Sequence, residues 1–375
     1  MSPKRVHDLR EVYDGTPSSH DSKSAAIVAS FSAVSDRVPP VDVTFGGVTD
    51  QVSFTVIPGA LDNIVVSPDT ATVAAGLGLT LARAAMRLRA LTPAFALVLL
   101  TTPLAAQSGV VHDALTLPSE ILGMERKYAV YLPPDYETSN RSYPVLYLLH
   151  GGGDDQSGWV QFGEVQHIAD KAIREGRATP MVIVMPDANT GQRGYFNNLS
   201  GDWRYEDFFF DEFMPYVERT YRVRGEKRYR AVAGLSMGGG GSFMYALHRP
   251  DLFSSAAPLS ASTGPLSFEQ FSERLRTSAP DDATPQAERE AYYRRHSALE
   301  LIAAMPDDQR DDVRWYIDCG DDDFLYEGNS LVHIAMRQRE IPHEFRVRDG
   351  GHTWTYWRTA LPDVLEFVSQ AFHQY

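Results

Sequence analysis

Residues 228–248 read RYRAVAGLSMGGGGSFMYALH, and this stretch decides the fold. Arg228–Gly234 has the length and apolar centre of a buried strand. Gly238–His248 has the length of a helix and stops at Arg249-Pro250. Between them lies Gly234-Leu235-Ser236-Met237-Gly238, a GxSxG motif on a strand-to-helix junction. A nucleophilic serine needs a turn so tight that glycine must flank it. The turn exposes Oγ and sets the next backbone N–H beside a reacting carbonyl. Five residues are a weak signal by themselves, and the strand–turn–helix setting lends them weight. The competing reading is a serine that caps a helix.

The same alternation extends outward on both sides. Strand-like runs occur at Lys127–Leu132, Tyr143–Leu149, Met181–Met185, Ala256–Leu259, Val313–Ile317 and Glu344–Val347. Several are continuously apolar, as in strands buried on both faces. Helical patterns fill the gaps at Glu206–Arg222, Asn329–Arg339 and Leu361–Phe372, and Pro215 predicts a kink or late start in the first of them. Strands alternating with helices imply an α/β fold with a mostly parallel sheet covered on both faces. Residues 263–312 break the rhythm. They are charged, with a helical stretch around Glu288–Met305, and are expected to form a cap-like insertion over the sheet's carboxyl edge.

Candidate partners for Ser236 follow from chain order, because hydrolases of this topology run Ser, then Asp or Glu, then His. Val313–Ile317 leads into Asp318, Asp321, Asp322 and Asp323, and spacing alone does not choose among them. His352, on a loop flanked by Gly351, follows the last strand and is the expected base. His150-Gly151-Gly152-Gly153 follows Tyr143–Leu149, where glycine lets the backbone approach and donate to an oxyanion. Trp159, Trp203 and Trp354 fall near these loops and are expected to wall a substrate pocket. Cys319 reads as a small buried hydrophobe.

Composition narrows the function classes. The chain has 375 residues, 43% of them hydrophobic and 22% charged, which excludes wholesale disorder and leaves enough apolar residues for a large core. A net charge of −14 disfavours nucleic acid and anionic lipid as partners. The single cysteine excludes an intrachain disulfide and a multi-cysteine zinc site, and no HExxH pattern is present. No cofactor and no metal are expected.

The amino-terminal third reads differently. From Met86 the sequence runs MRLRALTPAFALVLLTTPLAAQSG: a basic start, an apolar run too short for a comfortable membrane span, and small residues before Gln107. Residues 86–106 are read as a signal peptide, with Met86 the expected start and no stable membrane insertion after its removal. The stretch to about Val38 is polar and expected to be disordered. Gln51–Leu81 carries a β-hairpin pattern. It resembles the edge of a bacterial immunoglobulin-like repeat, cut short before a sandwich of about 100 residues could close.

Residues from about 117 to 372 resemble the esterase D-like branch of the α/β-hydrolases, which includes the feruloyl and acetylxylan esterases of carbohydrate esterase family one. The resemblance rests on YAVYLPPDY (128–136), YPVLYLLHGGG (143–153), YEDFFFDEFMPYVE (205–218), AGLSMGG (233–239), YIDCGDDDFL (316–325) and GGHTWTYW (350–357). It implies an α/β-hydrolase fold over 107–375. The family's acid closes a G-x-x-D pattern, which falls on Asp323, and its oxyanion donors fall on Gly152 and Met237. Many relatives carry a bulkier residue where Gly152 stands, so glycine there is expected to keep the backbone donor and widen the acyl pocket.

The expected protein is a secreted or periplasmic serine carboxylic-ester hydrolase acting on a small-molecule or polysaccharide-linked ester of feruloyl or acetyl type. Ser236 attacks, His352 moves the proton and Asp323 orients His352. Two rival readings stand beside it: an acyltransferase of the mycolyltransferase kind, and a non-catalytic carbohydrate-binding protein on a hydrolase fold.

Overall fold

In this computed structural model, residues 108–188 and 194–373 are described in full, and 41–45, 48–55, 63–67 and 71–74 by their backbone. The chain divides into two units, Met1–Thr101 and Thr102–Tyr375. In the first, β1 (Val41–Phe45), β2 (Val48–Thr55), β3 (Asn63–Ser67) and β4 (Ala71–Ala74) pair antiparallel in sequence order, and β1 precedes the Gln51–Leu81 hairpin pattern. The polar stretch to Val38 and the signal-like segment 86–106 lie outside the described residues.

The second unit is built on an eight-stranded sheet. Its strands are β5 (Val110–Ser119), β6 (Met124–Leu132), β7 (Val145–Leu149), β8 (Val182–Pro186), β9 (Arg230–Leu235), β10 (Ser255–Leu259), β11 (Arg314–Gly320) and β12 (His343–Arg348), in spatial order β12-β11-β10-β9-β7-β8-β6-β5. From β8 to β12 all neighbours are parallel. Only the pairings made by β6, with β8 and β5, are antiparallel.

Burial explains the strand sequences. Every residue of β7, β8 and β10 is buried, because helices cover both faces and no solvent side remains to be polar. Period two still sorts the side chains. Val145, Tyr147 and Leu149 enter one core layer with Phe208, Phe209, Phe213 and Phe243, whereas Leu146 and Leu148 enter the other with Trp159, Leu361 and Val364. The edge strand β12 is HEFRVR, only partly buried or exposed throughout, and its charges discourage pairing with another chain.

Helices depart from the sequence expectation in several places. Glu206–Arg222 is not one α-helix. Tyr205–Asp207 is α-helical, Phe208–Phe213 forms a wider turn in which the Met214 N–H reaches back to the Phe209 carbonyl, and Met214–Thr220 resumes the α-helix. Pro215 has no N–H to give a regular ladder, and the wide turn takes up the mismatch. The final helix starts earlier than expected, at Trp354, and runs through Pro362 to His373, because buried Tyr356, Trp357, Leu361 and Val364 anchor both sides of the proline. Val165–Arg174 and Phe268–Ser278 are additional helices. The stretch around Glu288–Met305 is two helices, Gln286–Arg295 and Ala298–Ala304, separated at His296-Ser297, where Ser297 Oγ caps the second. The insertion follows β10 and is tied to the rest of the unit by His248 Nε2 against the Arg295 carbonyl (2.7 Å) and by the Tyr292 hydroxyl donating to the Asn197 carbonyl (3.1 Å).

Register brings the site together. Leu149 lies opposite Gly234, and Leu235 opposite Leu259, so β7, β9 and β10 end along one edge. The turns leaving them, with those leaving β11 and β12, therefore converge where ligands of parallel α/β sheets bind.

Candidate active site

Ser236 occupies the turn between β9 and the helix Met237–His248, at φ 54° and ψ −114°. A non-glycine residue held there is strained, and the surroundings hold it. A Cβ on Gly234 would lie 2.5 Å from the Gly238 carbonyl oxygen, and one on Gly238 would lie 2.5 Å from that of Leu149. Both flanking glycines are therefore demanded by backbone contacts, which is the physical content of the motif.

Asp323 and His352 meet Ser236 from the loops after β11 and β12. His352 Nε2 is 2.9 Å from Ser236 Oγ, and His352 Nδ1 is 2.8 Å from Asp323 Oδ2. Asp323 is buried. Burial pushes its carboxyl up, but hydrogen bonds from His352, the Leu325 N–H and Ser260 outweigh that and hold it below the ordinary carboxylate value. Trp357 stands edge-on to the His352 ring at 4.8 Å and donates its indole N–H to Ser260 Oγ (3.0 Å). The imidazole is thus fixed from two sides. Ser260 belongs to no motif, and only its position after β10 brings it here.

The other aspartates have different occupations. Asp318 is fully buried and accepts from Tyr316, Tyr356 and Arg348. Asp321 accepts from the Gly350 N–H, and Asp322 is exposed. Cys319 is buried, and burial pushes its thiol up to about 12, which disfavours the reactive thiolate.

His150 anchors the glycine loop. Ala188 N–H donates to His150 Nε2 (2.9 Å), so the ring proton sits on Nδ1, which donates to the Gly151 carbonyl (2.7 Å). Burial lowers the His150 pKa, which keeps the ring neutral. A trans peptide sets the Gly152 N–H opposite the carbonyl that His150 holds. A Cβ on Gly152 would meet nothing within 4 Å. Met237 is the first residue of its helix, where N–H groups have no intrahelical acceptor. Neutral N–H donors beside a serine, a base and a buried acid suit a group whose carbonyl becomes an oxyanion.

The aromatic wall expected of Trp159, Trp203 and Trp354 needs correction. Trp159 is fully buried and donates to the Leu149 carbonyl (2.9 Å), bracing the end of β7. Trp203 is buried and donates to the Gly194 carbonyl (2.9 Å). Both indoles are large apolar bodies with one polar handle, satisfied inside the core. Only Trp354 keeps partial exposure, edge-on to Trp159 at 5.2 Å. The exposed aromatic beside the triad is one that sequence inspection passed over: Phe324, 71% exposed, with its ring 4.5 Å from that of His352.

A sheet that is parallel from β8 to β12 and covered on both faces, with its serine on the turn after a central strand, defines an α/β-hydrolase fold. The Esterase family model matches residues 119–368, and the chain belongs to that family. A solved ferulic acid esterase is 37% identical, with a TM-score of 0.62 over 71% of this chain and 99% of its own. Esterase Rv1288 of Mycobacterium tuberculosis is 30% identical over 60% of this chain and 52% of that protein. The endo-1,4-beta-xylanase/feruloyl esterase of Xylanibacter ruminicola is 33% identical over 40% of this chain and 21% of its own length. The chain thus spans about half the length of the first curated relatives it matches.

Proposed function

We propose that this protein is a serine carboxylic-ester hydrolase working through an acyl-enzyme on acyl esters of carbohydrate, of the feruloyl or acetyl type. The continuous chain from Ser236 Oγ through His352 to buried Asp323 carries the reading. Ser236 Oγ attacks the ester carbonyl as His352 Nε2 takes its proton. Asp323, held ionised, orients His352 and stabilises the imidazolium. The Gly152 and Met237 N–H groups receive the oxyanion, at roughly 3 kcal/mol of transition-state stabilisation per donor. His352 then returns the proton to the leaving alcohol, and water repeats the sequence on the acyl-enzyme. The chemistry requires no cofactor or metal.

The feruloyl reading is supported by the ferulic acid esterase and xylanase/feruloyl esterase likenesses. Export to the periplasm or medium is supported by the signal-like residues 86–106, and no helix among the described residues is long and apolar enough to cross a membrane.

The test is hydrolysis of p-nitrophenyl acetate, p-nitrophenyl butyrate and methyl ferulate by the protein and by Ser236→Ala. A fall in kcat of about 10³ or more is expected in the variant. Equal rates in the two proteins would remove Ser236 from the nucleophile's role. The ranking of the three esters reports the acyl preference.

A further inference from the structure

Asp154 stands in the glycine loop beside Ser236, and the catalytic steps above give it no task. The point where a Gly151 Cβ would sit is 3.5 Å from Ser236 Cβ and 3.7 Å from Asp154 Oδ2, so that oxygen lies within about 7 Å of the Ser236 Cβ. The place where a Gly158 Cβ would sit lies 3.3 Å from Asp154 Cγ and 3.4 Å from Trp354 Cζ2, so the same carboxylate borders the partly exposed Trp354. Its neighbour Asp155 is engaged, accepting from the Ser157 N–H (2.8 Å) and hydroxyl (2.7 Å). Asp154 has no such engagement. Among the described residues no side chain, cation or backbone N–H pairs with its carboxylate, and it is only partly buried. Burial and the adjacent Asp155 both raise its pKa, the direction expected of a carboxyl whose charge is uncompensated.

We propose that Asp154 is a specificity-determining residue that rejects esters bearing a carboxylate near the scissile bond and so confines the site to neutral or cationic acyl and alcohol groups. This rests on the serine-esterase reading above. An unpaired charge this near the nucleophile acts on an anionic substrate by repulsion. Like charges several ångströms apart in a partly desolvated mouth cost the wrong substrate more than the right one gains. The atom nearest the Gly151 Cβ position is Leu235 Cδ1, at 2.5 Å, which is apolar and offers the carboxylate no compensating charge.

The experiment compares kcat/KM, at pH 8 and low salt, for two matched pairs: p-nitrophenyl hemisuccinate against p-nitrophenyl butyrate, and 4-carboxyphenyl acetate against phenyl acetate. The proteins are the full chain, Asp154→Asn, Asp154→Glu and Ser236→Ala. In Asp154→Asn, the anionic-to-neutral ratio for at least one pair is expected to rise about fivefold or more. Asp154→Glu, which keeps the charge, should keep the ratio low. In the parent protein the ratio should climb with added salt, which a merely structural aspartate would not produce. Ratios within twofold of the parent in Asp154→Asn for both pairs, with hydrolysis still dependent on Ser236, would overturn this inference alone. Neutral-ester hydrolysis that survives Ser236→Ala would overturn the esterase reading and this inference with it.

Discussion

His352 reaches Ser236 across more than a hundred residues of sequence, and its value there depends on Asp323. Asp323→Asn retains the size of the side chain but loses the charge that selects the Nδ1–H tautomer of His352. It should lower kcat by about 10²–10⁴ with little change in KM, in steady-state kinetics on p-nitrophenyl acetate. Glycines on the same edge of the sheet behave oppositely to one another. Gly234→Ala forces a Cβ to 2.5 Å from the Gly238 carbonyl oxygen, a contact the backbone cannot relieve cheaply. Gly152→Ala places its methyl in open space. Calorimetry should show Tm falling by roughly 8 °C or more in the first, and by no more than about 2 °C in the second. Ser236 and its flanking glycines were legible because the turn's sterics leave few residue types to choose from. The acid was not legible from spacing, since Asp318, Asp321, Asp322 and Asp323 are all candidates in sequence. What separates them is which carboxylate faces His352 and which is consumed by Arg348, Tyr316 and Tyr356. Trp159 and Trp203 misled for a related reason: nearness to a loop in sequence does not reveal whether an indole points outward or into the core.

Elements were read best where periodicity was strong. The central strands β7, β8 and β10 are apolar in sequence apart from Ser255 and uniformly buried in the fold. The helices of the insertion were read least well, because their buried face is small and only Tyr293 of Gln286–Arg295 is buried. At their junction lies His296, stacked on Tyr292 at 4.0 Å, with Nδ1 2.8 Å from the Tyr292 carbonyl and no partner for Nε2 among the described residues. Burial lowers its pKa from 6.5 to about 4. The sign follows directly. As pH falls below 6.5 the unfolded chain takes up this proton first, so the folded state loses stability progressively until pH reaches about 4. The loss is up to roughly 3 kcal/mol. Between pH 7 and 4.5, Tm should therefore drop less steeply in His296→Gln than in the parent protein. Parallel slopes in scanning calorimetry would count against a neutral, buried His296.

For the molecule as a whole, the sheet from β5 to β12 and every residue of the candidate site lie within residues 110–357. A chain beginning at Gln107 should thus hydrolyse p-nitrophenyl acetate with a kcat within about twofold of the full chain's and melt within about 2 °C of its main transition, by steady-state assay and calorimetry. A large loss in either would show that residues before 107 support the catalytic unit. The alternation of strands and helices, the strained serine turn and the acidic, cysteine-poor composition were determined by local sequence, because they rest on periodicity, backbone sterics and charge, which act between near neighbours. The choice of Asp323, the neutral His150 behind Gly152, the Ser260–Trp357 brace on His352 and the position of Asp154 near Ser236 were decided only by the tertiary structure. Each depends on which loops the parallel register brings to one edge, and pairings between residues so far apart in sequence leave no local signature in the chain.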